Sequence, residues 1–421
     1  MKVLVVGKGA REHALAWRIA QDPGVDKIFA VPGNPGIATI AECLPDDAGA
    51  ADLAEELGVD LVVVGPEAPL VAGLADELRA RDVATFGPSA AAARIEGSKA
   101  WAKEILAKAN APTARALSFA DPAEAKAALD EFEPPYVIKA DGLAAGKGVV
   151  VAPSRSRAEE AIDACLVEGR FGEAGASLLI EEFLDGEELS VFCVTDGQTV
   201  VPLAAAQDYK RVFDGDEGPN TGGMGAYSPV PHLPPDTVAR AVREIFEPVI
   251  AAMRREDVPY QGVLYGGLMV TASGPKVFEF NCRFGDPEAQ VVLPRIGGSF
   301  AGLLMSCARG SLASVVPSWR PEACVTVVLA SGGYPGAYDT GMPITGIAEA
   351  ESIEGVTVFH AGTKGRDPLR TDGGRVLSVS ALGADLGEAR ARAYDAAGLI
   401  RFEGKHMRTD IAARAVERSE A

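Results

Sequence analysis

The sequence predicts a multidomain protein of α/β and α+β class, with an N-terminal parallel-sheet domain, a two-lobed central domain and a strand-rich α+β C-terminal domain. Three observations carry this reading. Short apolar runs alternate with helical patterns over the first hundred residues, strands then come in hairpin-like pairs, and beyond Pro317 the chain is strand-rich again. At 421 residues the chain also exceeds what one hydrophobic core usually covers. The expected units are residues 1–100, a large lobe of 101–120 with 184–320, a small lid lobe of 121–183, and a C-terminal unit of 321–421.

In the first unit, apolar runs at 2–6, 27–31 and 60–64 each end in a Gly/Pro-containing loop, and a fourth ends at Phe86-Gly87-Pro88-Ser89. Such strands, separated by helices like Arg11–Ala20, indicate a parallel sheet covered on both faces, with ligands gathering beyond the carboxyl ends of the strands. Next, Tyr136–Lys139 is expected to pair with Val149–Ala152, and Leu178–Glu182 with Leu189–Thr195, with a helix at Arg157–Val167 between the pairs. Residues 235–255 read as one long helix, followed by strands at Gly262–Val270 and Lys276–Asn281. The last unit reads as strands Val325–Leu329, Thr357–Ala361 and Arg375–Leu382, closed by a helix near 387–397.

Composition excludes several classes. A net charge of −19 argues against nucleic-acid partners, because phosphate backbones select basic surfaces. Six cysteines without a CxxC pair read as free, buried thiols of a reducing compartment. Four histidines, none at metal-ligand spacing, leave no zinc site. The sequence opens on the strand-like Met1–Val6 rather than on a charged and then apolar leader, and no apolar run approaches the roughly 20 residues of a membrane span. A cytoplasmic location without a membrane partner is expected.

Gly7-Lys8-Gly9-Ala10-Arg11-Glu12 is half of a dinucleotide fingerprint. Glu12 stands at the third glycine position, and the second strand ends in Pro32-Gly33-Asn34 without an acid for a ribose, which argues against a nicotinamide cofactor. What remains is a phosphate-binding turn at a helix start, or a tight turn with no ligand.

Lys139-Ala140-Asp141-Gly142-Leu143-Ala144-Ala145-Gly146-Lys147-Gly148-Val149 is one residue short of a Walker loop and joins strand to strand. A flexible Gly142–Gly148 loop with a lysine at each end suits a lid over a triphosphate: the glycines let backbone approach phosphates that the lysines neutralise. The alternative is a surface hairpin with solvated lysines. Glu181-Glu182-Phe183-Leu184-Asp185-Gly186-Glu187-Glu188 reads as a hinge whose backbone near Phe183 and Leu184 meets an adenine edge while Glu188 accepts from ribose hydroxyls. A solvated charged turn competes with it.

In Val277–Glu288, the strand period of two places Glu279, Asn281 and Arg283 on one face and Phe278, Phe280 and Cys282 in a core. Glu279 and Asn281 offer neighbouring hard oxygen donors suited to Mg²⁺ bridging nucleotide phosphates, and Arg283 follows for a carboxylate or phosphoryl group; an exposed polar strand face is the alternative. Pro219–Ala226, after Gln207-Asp208-Tyr209-Lys210-Arg211, is a glycine-rich loop that either turns backbone N–H groups to an anion or has no ligand.

The combination of Lys139, the Gly142–Gly148 loop, Glu181–Leu184 and Glu279/Asn281 resembles the ATP-grasp fold. Gly9–Ala14, Val64–Leu70, Glu96-Gly97-Ser98-Lys99, Gly218–Pro229 and Phe278–Glu288 extend the similarity end to end, to the glycinamide ribonucleotide synthetase family. The N-terminal unit then corresponds to a pre-ATP-grasp domain. The resemblance implies ATP-dependent ligation of glycine to 5-phosphoribosylamine in purine biosynthesis, with ATP and Mg²⁺ (or Mn²⁺) required and a monomer as the expected state.

It further implies that Lys99, Lys139, Gly142, Gly146, Lys147 and Gly148 meet phosphates, that Glu181, Glu182, Phe183 and Leu184 hold adenine, and that Glu188 holds ribose. Glu279 and Asn281 would bind the metal, with Arg283, Asp286 and Lys147 catalytic. Gly9, Arg11, Glu12, Asn34, Glu67, Asp208, Lys210, Gly223, Arg283 and Asp286 would bind substrate. The chain departs from the family pattern at Ala10, at Tyr209 in place of a histidine, at Ala412 in place of a glycine, and in lacking an acidic residue on Gly262–Val270. The competing expectation is another ATP-grasp ligase or carboxylase.

Overall fold

The computed structural model describes residues 1–47, 49–143 and 148–420. The first domain is a five-stranded, all-parallel sheet in the spatial order Glu42–Cys43, Lys27–Pro32, Lys2–Gly7, Leu61–Val64, Thr85–Phe86. Its strands read as continuous apolar runs because both faces are covered, and Val3, Leu4, Val5, Val62 and Val63 are all inaccessible to solvent. The strand order reverses beside Lys2–Gly7, which puts the sheet's switch point at the ends of Lys2–Gly7 and Leu61–Val64, where Gly9, Arg11, Glu12 and Glu67 follow.

The small lobe is an antiparallel sheet, Ala116–Phe119, Leu178–Glu182, Tyr136–Ala140, Val149–Ala152, with the helices Pro122–Ala128 and Arg155–Leu166 packed on its own apolar core; residues 116–119, expected in the large lobe, belong here because they pair with residues 178–181. A second antiparallel sheet, Val200–Pro202, Glu187–Thr195, Gly262–Thr271, Gly274–Asn281, forms the large lobe. The expected pairing of Tyr136–Lys139 with Val149–Ala152 is present. The expected pairing of Leu178–Glu182 with Leu189–Thr195 is not. Glu187–Thr195 is buried on both faces from Leu189 onward and so lies inside the large-lobe sheet, beside Gly262–Thr271. Residues 183–186 therefore cross between lobes instead of closing a hairpin.

Phe278 also departs from expectation. Gly267 faces Glu279 while Leu268 faces Val277, so Phe278 is the extra residue of a β-bulge. The bulge breaks the period of two and leaves Phe278 half-buried against the cleft, while Val277, Phe280 and Cys282 stay in the core.

The expected long helix runs from Thr237 to Arg255 with a π-helical turn at Val242–Phe246. The C-terminal sheet is ordered Gln207–Asp208, Gly225–Ser228, Ala323–Ala330, Arg375–Gly383, Val356–His360, with helix Leu386–Leu399 packed against it. Two of its strands thus come from the middle of the chain. Among the described residues no helix is long and apolar enough to cross a membrane.

Candidate active site

The lobes and the first domain enclose a cavity of about 860 Å³. Lys99, Lys139, Gly148, Glu181, Glu182, Phe183, Leu184, Glu188, Asp208, Lys210, Glu279, Asn281, Arg283 and Asp286 line it, together with Arg11 and Glu67 of the first domain. The two oxygen donors, Glu279 and Asn281, therefore share one cleft with Lys139 and Gly148. Gly142 touches it through Lys99, whose Nζ lies 3.1 Å from the Gly142 carbonyl oxygen. Gly9, Glu12, Asn34 and Gly223 stand behind the lining, and Gly146 and Lys147 lie outside the described residues.

A lysine cluster forms one end of the cavity. Lys139 Nζ sits 2.9 Å from Glu181 Oε2 and donates to the Phe278 carbonyl at 2.8 Å. Glu181 Oε1 lies 3.3 Å from Lys103, a lysine on the helix Lys99–Ala109 that no motif singles out. The Glu181 carboxylate is thereby occupied between two lysines. Burial pulls the Lys99 ammonium below the usual lysine range, Glu279 offsets this only in part, and Lys139 adds to it. Burial does the same to Lys103 despite Glu181. Desolvated, under-neutralised ammonium groups gain from a polyanion placed among them.

Gly186 fixes how the hinge passes the large lobe. A Cβ there would lie 2.4 Å from the Val270 carbonyl oxygen, which belongs to a paired strand and cannot move aside. Gly186→Ala is expected to lower stability by about 2 kcal/mol through overpacking. A urea midpoint equal to that of the unaltered chain would show that the hinge is not so closely packed.

The floor is acidic. Lys210 pairs with Glu188, and although burial alone would depress its pKa, Glu188, Asp208 and Glu279 hold it well above the ordinary value. Burial raises Asp208 to about 8, with Lys210 opposing and Glu288, Glu188 and Glu279 reinforcing the shift. Burial also raises Glu288, whose Oε1 accepts from Ser190 at 3.2 Å. This excess of carboxylate suits a divalent cation. Among the described residues no three His, Cys, Asp or Glu side chains converge to hold one unaided. The donor set of Glu279 and Asn281 fits Mg²⁺, which commonly binds one or two protein oxygens and completes its shell with phosphate and water.

The first domain supplies a charge chain. Arg283 Nε lies 3.2 Å from Glu67 Oε2, and another of its nitrogens 3.1 Å from Glu96 Oε1. Burial opposes the Arg283 charge, but Glu96 and Glu67 raise its pKa beyond the ordinary arginine value. Arg11 bonds Glu12 at 2.6 Å, and Glu12 also accepts from the Gly9 N–H at 2.6 Å. The Asn34 amide donates to the carbonyls of Lys8 and His360 and accepts from the Ile37 N–H. Glu12 and Asn34 hold the shape of the turn; Arg11 and Glu67 reach the cavity.

Asp286 is paired with Arg375, 3.0 Å away, and accepts from Gln290 at 2.8 Å. Burial would raise its pKa, yet Arg375 and Arg11 hold the carboxyl below the usual range. The N–H groups of the glycine-rich loop turn inward: Thr221 to Lys210, Gly222 to Tyr334, Gly223 to Thr221 and Met224 to Tyr209. They do not form an anion nest. Tyr209 is buried, stacks under Arg408, and accepts from the N–H of Ala412, a residue in the left-handed region at φ 61°.

Two lobes clamped over a lysine-lined cleft, joined by a hinge and facing an acidic strand end, define an ATP-grasp protein. Residues 1–96, 97–289 and 324–414 match the N domain, the ATP-grasp (A) domain and the C domain of phosphoribosylglycinamide synthetase, and the chain belongs to that family. It is 50% identical to the phosphoribosylamine–glycine ligase of Brucella melitensis with 100% of each chain covered, and 53% identical to that of Streptomyces coelicolor with 99% of each covered. The crystal structure of the Thermotoga maritima phosphoribosylamine–glycine ligase is similar at a TM-score of 0.87 and 35% identity, covering 98% of this chain and 100% of that one.

Proposed function

We propose that this chain joins glycine to 5-phosphoribosylamine with ATP, giving glycinamide ribonucleotide, ADP and phosphate through a glycyl phosphate. One observation carries the reading: Arg11 and Glu67 of the parallel-sheet domain open into the same cavity as the lysine cluster and Glu279/Asn281. A single chamber can therefore hold a nucleotide at one end and an amine at the other.

A carboxylate does not react with an amine because oxide is a hopeless leaving group. When a glycine carboxylate oxygen bonds to the γ-phosphorus, the bond to ADP breaks and that oxygen becomes part of a phosphate. The amine nitrogen then bonds to the carbonyl carbon, phosphate departs with the C–O electron pair, and the amine gives up a proton. The protein contributes alignment and charge. Lys99 and Lys139 neutralise phosphates, the 183–184 backbone and Glu188 seat the nucleoside, and Arg283 holds the glycine carboxylate. Glu279 and Asn281 would hold Mg²⁺ or Mn²⁺, which supplies further charge neutralisation at the phosphates. Free cysteines, five of them buried, suit the reducing cytoplasm.

The test uses glycine labelled with ¹⁸O in its carboxylate. ADP should accumulate over many turnovers only when both glycine and 5-phosphoribosylamine are present, and one ¹⁸O should pass to phosphate. Label that stays wholly in the product, or turnover with bicarbonate replacing glycine, would refute the assignment and favour a carboxylase.

A further inference from the structure

Arg375 lies on a C-terminal strand, in a part of the sequence where no motif points to a site, yet its guanidinium reaches the cleft wall. One nitrogen lies 3.0 Å from Asp286 Oδ2. Another donates to the backbone carbonyl of Asp286 at 2.7 Å and to that of Gly222. The same unit is pressed together from a second side. Gly223 has φ +104°, and a Cβ on it would stand 2.3 Å from Pro287 Cδ. Tyr334, also from the C-terminal domain, accepts the Gly222 N–H at 3.0 Å. The fork of Arg375 thus fixes both the backbone and the carboxylate of Asp286. That carboxylate sits where the first-domain turn meets the cleft, with Oδ2 only 3.8 Å from where a Cβ of Gly9 would be.

We propose that Arg375 is a positioning residue for the amine substrate: it aims the Asp286 carboxylate from the C-terminal domain at the nitrogen that attacks the acyl phosphate. This rests on the ligase reading above. A planar, two-nitrogen grip is something a lysine cannot reproduce, so charge alone does not explain the arrangement.

Steady-state kinetics of the full-length chain, Arg375→Lys and Arg375→Ala test it, with each of the three substrates varied in turn. Both variants should raise the KM for 5-phosphoribosylamine by about tenfold or more, leaving those for ATP and glycine within about twofold. A purely structural role would lower apparent kcat through the folded fraction and leave every KM alone. That result, or a rise confined to ATP or glycine, overturns the proposal. Should Arg375→Ala fail to fold, the KM values of Arg375→Lys decide the question. An unaltered chain that makes no glycinamide ribonucleotide would sink the ligase reading, and the proposal with it; an active one with unmoved variants sinks only the proposal.

Discussion

Glu279→Ala is expected to abolish turnover and leave the fold intact. The expected loss in kcat/KM is about 10³-fold or more, the scale on which a preorganised electrostatic group at a phosphoryl-transfer centre acts. The side chain is half-buried on the cleft floor, opposite a glycine in the neighbouring strand, so its removal opens no core cavity. It also takes away the carboxylate that partly offsets the burial of Lys99. Turnover at saturating Mg²⁺, beside circular dichroism and the urea midpoint, separates loss of chemistry from loss of structure. Near-normal turnover would remove Glu279 from metal binding.

Arg408→Ala has the opposite signature. Its side chain has no exposed surface, and it bonds Asp410 through two nitrogens at 2.7 Å each, Asp216 at 2.9 Å and the Arg211 carbonyl at 3.0 Å. Its guanidinium also lies 4.7 Å from the Tyr209 ring centroid. Breaking a buried pair by removing one partner typically costs about 3–5 kcal/mol, because the remaining charge is left uncompensated. Here Asp410 and Asp216 keep some solvent contact, so the lower end is expected. A urea-unfolding loss below about 1 kcal/mol would mean that water replaces the arginine at little cost.

The sheet strands of the first domain are legible in the sequence because burial on both faces writes itself as an unbroken apolar run. The hinge is legible as a charged turn after an apolar strand, but its topology is not. Leu178–Glu182 and Leu189–Thr195 look like a hairpin until the second strand's two buried faces are matched to neighbours on either side. Phe278 is misplaced by period-two reasoning because a bulge depends on the register with Gly267, which no local pattern encodes. Glu279, Asn281 and Arg283 stand out because three functional types fall within five positions. Lys103 and Arg375 carry no such local mark; each is an ordinary charged residue until folding brings it against Glu181 or Asp286. In the glycine-rich loop the glycines reflect close packing against Arg375 and Pro287 rather than an anion.

Gly225–Ser228 hydrogen-bonds along Ala323–Ala330, so one sheet is woven from the middle and the end of the polypeptide. The final third is therefore not an interchangeable cassette. Swapping it between relatives would require matching stretches around 207–228, and deleting it would bare a strand edge of the kind that recruits other chains. The same weave ties the large lobe to the C-terminal domain. The small lobe, by contrast, has its own core and joins the rest through two short segments, 110–115 and 183–186.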